Sequence, residues 1–272
     1  MTEHCTVTAL YSYSVKSCRG STVASAKISP TGIEGDRQLM ILKDAKFTNQ
    51  ARLPKLAAVA TRRLDEATIE FDCAAKAPLV HAVTAEGVET NVNFYGNNVA
   101  VVDQGDEVAD YVSGVVGVEV RVVGLKAAFR RAVPLEEFSV VDGIDQARFV
   151  DVAPLLVTNE ASLADLNARL AIKVPMNRFR PNVVVEGLEA FGEDSVVALS
   201  GEGVRLVRVT HCERCAVTST DQETGERGKE PLATLKSYRH REGGYAGGVM
   251  FGAYMGVEGA GTIRVGDTLT VD

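Results

Sequence analysis

The sequence has no excess of positive charge, no long apolar run and no leader-like N-terminus. It holds 29 Lys and Arg against 36 Asp and Glu, a formal net charge of −7, so no diffuse attraction draws it to phosphate backbones or anionic lipid. No stretch approaches the roughly 18 apolar residues of a spanning helix, and MTEHCTVTAL lacks a basic segment followed by an apolar one. We therefore expect no nucleic-acid partner and no membrane anchor, and we expect that local clusters of Arg and Lys hold any anionic ligand.

Cysteine is also sparse. The 272 residues contain 5 cysteines, and an odd, scattered set argues against a disulfide framework and favours a reducing compartment. The cysteines are Cys5, Cys18, Cys73, Cys212 and Cys215. We therefore expect a cytoplasmic location.

The chain is instead rich in short segments with alternating polarity. Runs such as TVTALYSY, QLMILK and ATIEFD, and later NVVVEG and VRLVRV, are separated by Gly, Pro and Asp, which is typical of many short strands. Helical spacing predicts helices over 105–116, after a capping Asn159, and from Pro231 at a first helical position. The pattern predicts a mainly β fold with a few helices, of the α+β class.

A mixed, polar stretch over 125–146 divides the chain. The length lies between that of one large domain and two modest ones. We interpret this stretch as the crossing into a second lobe, which predicts domains at 1–124 and 125–272.

A Cys-x-x-Cys pair, Cys212 and Cys215, follows a predicted strand and precedes a Thr-rich turn. A structural zinc site needs four ligands, and the sequence contains no second such pair. A thioredoxin-like pair should open a helix, whereas AVTST is β-branched and turn-like. Zinc binding, disulfide chemistry, a single reactive or metal-ligating thiolate and a plain structural pair all stay open on spacing alone.

Three basic positions lie where a turn meets a strand: Lys16 with Ser17, Arg37 and Arg180. Side chains at such junctions point from a rigid scaffold, and guanidinium and ammonium groups suit phosphate oxygens. Each one alone is better explained as a solvated charge at a strand end. Only their convergence in space would indicate a binding site.

Several segments taken together resemble the MOSC proteins. They are SVKSCRG, GDRQLM, FTNQARLPKLA, NEASLADLNARL, NRFRPNVVV, HCERCAVTSTDQETGERGKEPLATLKSYR and GTIRVGDTLTV. The likeness covers nearly the whole chain and is greatest to the amidoxime-reducing components and the C-terminal part of molybdenum cofactor sulfurase. It implies a MOSC β-barrel domain packed on an N-terminal, β-rich MOSC-associated domain.

The resemblance also implies a site. Family members bind a molybdenum–molybdopterin cofactor whose metal takes one protein thiolate, and the matching residue is Cys215, which would be the catalytic and metal-ligating residue. The positions that match the family's cofactor-binding residues are Lys16, Ser17, Arg37, Asp151, Val152, Ala153, Arg180, Asn182 and Cys215. Soft sulfur donors suit molybdenum, and the bases would offset the charge of the phosphate.

The function implied is reduction of N-hydroxylated compounds such as hydroxylamines, amidoximes and N-hydroxylated bases. No four-cysteine cluster run is present, so we expect a separate haem or iron–sulfur electron-donor protein served by a reductase. The alternatives are sulfur transfer through Cys215 and a cofactor-binding or carrier protein. Pyridoxal phosphate binding is not expected.

Overall fold

The computed structural model describes residues 3–126, 148–242 and 247–272. We number its elements in chain order. The strands are β1 Glu3–Ser12, β2 Ser21–Val23, β3 Ser25–Ser29, β4 Gly32–Ile33, β5 Leu39–Lys43, β6 Lys46–Phe47, β7 Ala60–Arg63, β8 Thr68–Cys73, β9 Lys76–Ala82, β10 Glu89–Phe94, β11 Asn97–Asp103, β12 Arg121–Leu125, β13 Leu155–Asn159, β14 Val183–Glu186, β15 Ala198–Gly201, β16 Val204–Glu213, β17 Met250–Gly259, β18 Gly261–Arg264 and β19 Thr268–Val271. The α-helices are α1 Asp106–Val116, α2 Glu160–Arg169 and α3 Leu232–Tyr238.

The largest sheet closes into a barrel. Its strand order is β14-β13-β17-β16-β15-β19-β1-β2, and β1 also pairs with β14. Neighbours on the ring are antiparallel except for β13 and β14, which run parallel. Closure leaves the seven ring strands without a free edge. Apolar side chains such as Leu10, Val157, Leu206 and Met255 fill the interior of the barrel. The mainly β prediction is confirmed.

Two further sheets belong to the first half of the chain. One has the order β10-β11-β12-β5-β6 and the other β7-β8-β9. Helix α1 lies against them, and its Val108 and Val112 pack with Leu39, Ile41 and Phe71 in one buried cluster. The acidic first turn of α1 and the left-handed Gly117 after its last turn are ordinary helix boundaries, and they confirm the predicted helix over 105–116.

Strand pairing crosses the predicted domain boundary. Strands β1 and β2 belong to the barrel built otherwise from the second half, and β3 pairs with β18. The domain boundary between residues 124 and 125 therefore stays a prediction. Two of the sheets contain strands from both predicted domains. The predicted crossing over 125–146 lies almost entirely outside the described residues.

The two other predicted helices are present, one with a shifted start. The side chain of Asn159 accepts a hydrogen bond from the backbone of Ala161, which confirms the predicted cap of α2. Helix α3 begins at Leu232, so the prediction of Pro231 as its first helical residue is wrong by one position. The carbonyl of Pro231 accepts from the amide of Leu235 at 3.0 Å, which makes Pro231 the N-cap.

None of the helices in the described ranges combines the length and the apolar character needed to cross a membrane. The cytoplasmic location stays a prediction.

Candidate functional site

One cleft collects nearly all the predicted site residues. It encloses about 810 Å³ of empty space, including the part open to solvent. Its walls come from the segment after β1, the turn before β5, the β10–β11 turn, the segment before β13 and the end of β16. It is lined by Lys16, Ser17, Arg37, Asn49, Gln50, Tyr95, Val150, Asp151, Ala153, Leu156, Phe179, Arg180, Asn182, Glu213, Arg214, Cys215, Val217 and Tyr254. Of the nine predicted residues only Val152 does not line it; Val152 is buried in a small apolar cluster with Val150 and Ala153.

The two cysteines of the pair have opposite environments. Strand β16 ends at Glu213, and Cys215 begins the 3-10 turn Ala216–Ser219, where its thiol is exposed in the cleft. The backbone amide and the hydroxyl of Thr218 both donate to the Cys215 carbonyl, at 3.1 and 3.0 Å. The turn therefore fixes the backbone of Cys215 while leaving its sulfur accessible.

Cys212 is fully buried on β16. A guanidinium nitrogen of Arg214 lies 2.6 Å from its sulfur. Burial raises the pKa of the Cys212 thiol, and the nearby charge of Arg214 opposes that rise only in part. The two cysteines are not bonded to each other, and within the described ranges no three His, Cys, Asp or Glu residues are grouped as metal ligands. Cys215 is therefore the member of the pair that a ligand in the cleft can reach.

Lys16 points into the cleft through a cage of aromatic rings. Its ammonium lies 5.5, 5.3 and 5.8 Å from the ring centres of Phe47, Phe94 and Tyr95, and 2.6 Å from the Asp151 carboxylate. The hydroxyl of Tyr95 donates to the same carboxylate oxygen at 2.8 Å. The lysine is thus held in place although it is 5% exposed.

These contacts also set the charge of Asp151. Desolvation acts to raise the pKa of this carboxyl, but the charge and hydrogen bond of Lys16, with the hydrogen bond of Tyr95, outweigh it. The pKa of Asp151 therefore lies below its usual value. Asp151 is therefore ionised at neutral pH and accepts the hydrogen bonds of Lys16 and Tyr95.

Arg37 and Arg180 meet at the buried ring of Tyr13. Their guanidinium carbons lie 4.8 and 4.4 Å from its centre. Arg37 pairs with Asp36 and donates to Asn182 at 3.1 Å. Arg180 has no carboxylate partner in the described ranges. It donates to the carbonyl of Cys18 at 2.7 Å and to the side-chain oxygen of Gln222 at 3.1 Å. Two basic groups from distant segments are thereby fixed side by side.

Arg180 carries a positive charge that its surroundings do not neutralise. Desolvation lowers the pKa of its guanidinium, and the charge of Arg37 lowers it further. The walls of the cleft carry four cationic side chains and two carboxylates, in a chain whose net charge is −7. An anionic ligand would offset this local excess.

Left-handed backbone is concentrated at the cleft. Of the seven non-glycine residues with positive φ in the described ranges, four line it: Ser17, Arg37, Tyr95 and Arg180, with φ of 73°, 49°, 48° and 56°. Such conformations cost about 1–3 kcal/mol each and persist where the surroundings enforce them. This clustering indicates that the surrounding structure holds the backbone of these four residues in an unfavourable conformation, which fixes where their side chains lie in the cleft.

Gln50 lines the cleft and was not predicted; it pairs with Gln222, which does not line the cleft. Gln50 and Gln222 exchange two amide hydrogen bonds, at 3.1 and 3.0 Å, and Gln50 also donates to the Ser17 carbonyl. They join the segment after β6 to the segment after Cys215. Gln50 lies in FTNQARLPKLA, which contributed to the resemblance, but an amide pair across 172 positions leaves no signal in the sequence.

Arg214 and Tyr95 were also not predicted as site residues. Arg214 is 8% exposed, and its Nε is buried without a hydrogen-bond partner within the described part of the chain. An orphaned buried donor beside an exposed thiol fits a ligand that brings acceptor atoms into the cleft. For Arg214, the position between the two cysteines was the sequence signal that could have identified it as a site residue. For Tyr95, which lies in the turn between β10 and β11, the sequence contains no such signal.

Fold and site together define a β-barrel protein with an accessible thiol in a cationic cleft. Two family models match the chain: the MOSC N-terminal beta barrel domain over residues 4–119 and the MOSC domain over residues 145–270. The chain belongs to the MOSC family, as the resemblance implied.

Named relatives match over most of their length. The mitochondrial amidoxime reducing component 2 of Bos taurus is 33% identical, over 96% of this chain and 82% of that protein. The mitochondrial amidoxime-reducing component 1 of Homo sapiens is 33% identical, over 96% and 81%. Among solved structures, the YUAD protein from Bacillus subtilis is 11% identical, covers 100% of this chain and 97% of that chain, and superposes with a TM-score of 0.44.

Proposed function

We propose that this protein is a molybdenum cofactor-dependent reductase of N-hydroxylated compounds. The observation that carries the proposal is the exposed thiol of Cys215 in one cleft with Lys16, Arg37, Arg180 and Arg214. A soft sulfur donor beside a set of desolvated cations suits a metal with an anionic organic ligand. The relatives named for amidoxime reduction support the choice of substrate class.

Different residues of the cleft would have different roles in binding the cofactor. The Cys215 thiolate would ligate the metal, and Lys16, Arg37 and Arg180 would compensate the charge of the pterin phosphate. Ser17 and Asn182 lie beside these cations, and the segment of Asp151, Val152 and Ala153 would border the cofactor. Asn182 also holds the wall together, because its side-chain oxygen accepts from Arg37 and from the Leu156 amide at 3.1 and 3.2 Å.

When bound, the cofactor would supply the two-electron step that cleaves the N–O bond. Conversion of a hydroxylamine to an amine and water consumes two protons as well as two electrons. The cleft holds protons on the Tyr95 hydroxyl and the Lys16 ammonium, both directed at Asp151. The electrons would come from a separate haem or iron–sulfur protein served by a reductase.

Elemental analysis tests the proposal most directly. Protein purified from cells supplied with molybdate should contain molybdenum and pterin near one per chain and should reduce a hydroxylamine with reduced methyl viologen as donor. Cys215→Ser should abolish turnover and leave the far-ultraviolet circular dichroism unchanged, because the residue is exposed on a turn. Cys212→Ser is the matched control and should retain most of the activity; equal loss in both would favour a paired-cysteine mechanism.

The same accessible thiol could carry sulfur instead. In that second candidate Cys215 would hold a persulfide or pass on the cofactor. Bound sulfane sulfur without molybdenum would favour sulfur transfer, and molybdenum without turnover under any donor would favour a carrier protein.

A further inference from the structure

Five exposed cations form a patch beside the cleft, which we call the basic rim. They are Lys46, Arg52, Lys55, Arg227 and Lys229. None of the five is ion-paired with another residue of the described ranges, a property that they share with other exposed cations such as Lys173 and Arg264. Their charges are therefore available to a partner.

The rim opposes the charge of the rest of the chain. Residues 45–57 contain the three rim cations Lys46, Arg52 and Lys55 and no Asp or Glu, although the whole chain has a net charge of −7. Two exposed carboxylates, Glu226 and Glu230, lie on the other rim segment without an ion pair in the described ranges. Five cations less two carboxylates leave an excess of three positive charges.

Packing fixes the two rim segments against each other. Arg227 donates to the carbonyl oxygens of Gln50 and, at 2.9 Å, Ala51. Gly225 has a φ of +73°, and a Cβ there would lie 2.9 Å from the Cα of Lys55, so only glycine allows this approach. The charges are therefore presented on an ordered surface, which lowers the entropic cost of binding a partner.

The rim borders the mouth of the cleft. Gln50, which lines the cleft, is two residues from Arg52. On the other segment, the carbonyl of Lys229 accepts from the hydroxyl of Ser219 at 3.2 Å, and Ser219 ends the turn that Cys215 begins. A protein bound to the rim would lie next to the thiol.

We propose that the basic rim is the docking surface for an acidic electron-donor protein. The inference rests on the proposed function, in which each N–O cleavage takes up two protons and two electrons, forms an N–H bond and water, and oxidises the donor by two electrons in total. Complementary charge raises the encounter rate of such a pair and fixes its orientation. An excess of three charges suits a protein patch better than nucleic acid, because binding to duplex DNA is dominated by contacts to many phosphates, for example about six to ten.

The test compares charge reversal at the rim with charge reversal elsewhere. The rim variant is Lys46→Glu, Arg52→Glu and Lys55→Glu; Arg227 is kept because it joins the segments. The matched control is Lys173→Glu, Lys236→Glu and Arg264→Glu, which changes the net charge equally at exposed residues that neither line the cleft nor belong to the rim. The probe is a reduced, acidic b-type cytochrome, whose reoxidation by molybdenum-loaded protein is followed by absorbance.

We expect the second-order rate to fall at least about tenfold in the rim variant at low salt. The wild-type rate should fall as the salt concentration rises, because the attraction is screened. The control variant should keep the wild-type rate, and turnover with methyl viologen, a cationic small molecule, should not fall in either variant.

Equal rates in the two variants, or a wild-type rate independent of salt, would overturn the docking surface while viologen turnover persists. Binding to phosphatidylserine vesicles that depends on the same three residues, with cytochrome kinetics unchanged, would overturn it in favour of a membrane surface. Absence of viologen turnover by molybdenum-loaded wild type would overturn the proposed function itself, and the electron-donor role with it.

Discussion

The interior of the barrel and the cleft beside it are built in opposite ways. The interior is a continuous cluster of buried apolar side chains, most of them on strands. The cleft places four cations in partly or fully buried positions and holds four of its residues in left-handed backbone conformations. Burial of apolar surface stabilises the first region, whereas desolvated like charges and strain cost free energy in the second. Stability and ligand binding should therefore respond to different substitutions.

The largest effect should come from the barrel interior. Leu206→Ala removes a fully buried side chain and should lower the free energy of unfolding by about 2–5 kcal/mol. Urea unfolding followed by circular dichroism measures it. Val265→Ala, at a side chain that is 46% exposed, should change stability by no more than about 0.5 kcal/mol. Molybdenum per folded chain should stay at the wild-type level in both variants, and its loss in Leu206→Ala would break the comparison.

A buried carboxyl outside the cleft should make stability depend on pH. Glu193 is fully buried, and the hydroxyl of Ser162 donates a hydrogen bond to its carboxyl oxygen at 2.7 Å. Desolvation raises the pKa of Glu193 from 4.5 to about 7. The folded chain keeps this proton at a pH where the unfolded chain has lost it. The stabilisation is therefore complete below the unfolded pKa and is lost as the pH rises through the folded pKa, by about 3 kcal/mol in total.

Glu193→Gln should remove this dependence, because the amide stays neutral. We expect the free energy of unfolding, measured from about pH 5 to about pH 8, to fall in the wild type relative to the variant as the pH rises. Parallel curves would show that Glu193 does not titrate in this window.

A cleft cation should affect ligand binding more than stability. Arg180→Lys keeps a charge but loses the planar guanidinium that lies over the ring of Tyr13 and donates to two acceptors from one nitrogen. The affinity for the cofactor should fall by about 1.5–3 kcal/mol, read as molybdenum and pterin content. Arg178→Lys is the matched control, since Arg178 pairs with Asp221 and does not line the cleft. Full molybdenum occupancy in Arg180→Lys would contradict the assigned role.

The smallest effect should come from the edge of the cleft. Tyr95→Phe removes the hydroxyl that donates to Asp151 but keeps the ring, so stability should fall by about 0.5–1.5 kcal/mol. The pKa of Asp151 should rise towards its usual value, because one of the contacts that lowers it is lost. Nuclear magnetic resonance titration of the Asp151 carboxyl carbon measures this change, and an unmoved pKa would show that Lys16 alone holds the charge.

Several strands that sequence reasoning found alternate in burial, whereas β5 and β14 were found although they are buried almost throughout. Strand β1, for example, alternates between more and less buried positions, and alternation is the signal of a strand with one covered face. Strands β13 and β17 were not identified, because nearly all residues of LLVTN and MFGAYMGV are buried on both faces. A run that is apolar throughout carries no period, so neither its type nor its place in the barrel could be predicted.

The site was predictable through family likeness rather than from the residues themselves. Each base alone was better explained as a solvated charge, and nothing in the spacing of Lys16, Arg37 and Arg180 shows that they meet. Their meeting depends on Tyr13, against which both guanidinium groups lie, and on strand pairings between distant segments. Contacts of this kind follow from the assembled fold, which local sequence patterns do not encode.

The position of β1 has a consequence for how the protein matures. Among the described strands β1 is synthesised first, and one of its partners, β19, is synthesised last. The Leu10–Ser12 end of β1 can pair early with β2, but the Glu3–Thr6 end stays unpaired until β19 has been made. Deletion of the final strand should therefore leave a nascent product with an open seam that is prone to aggregation, even though every residue of the cleft has been made.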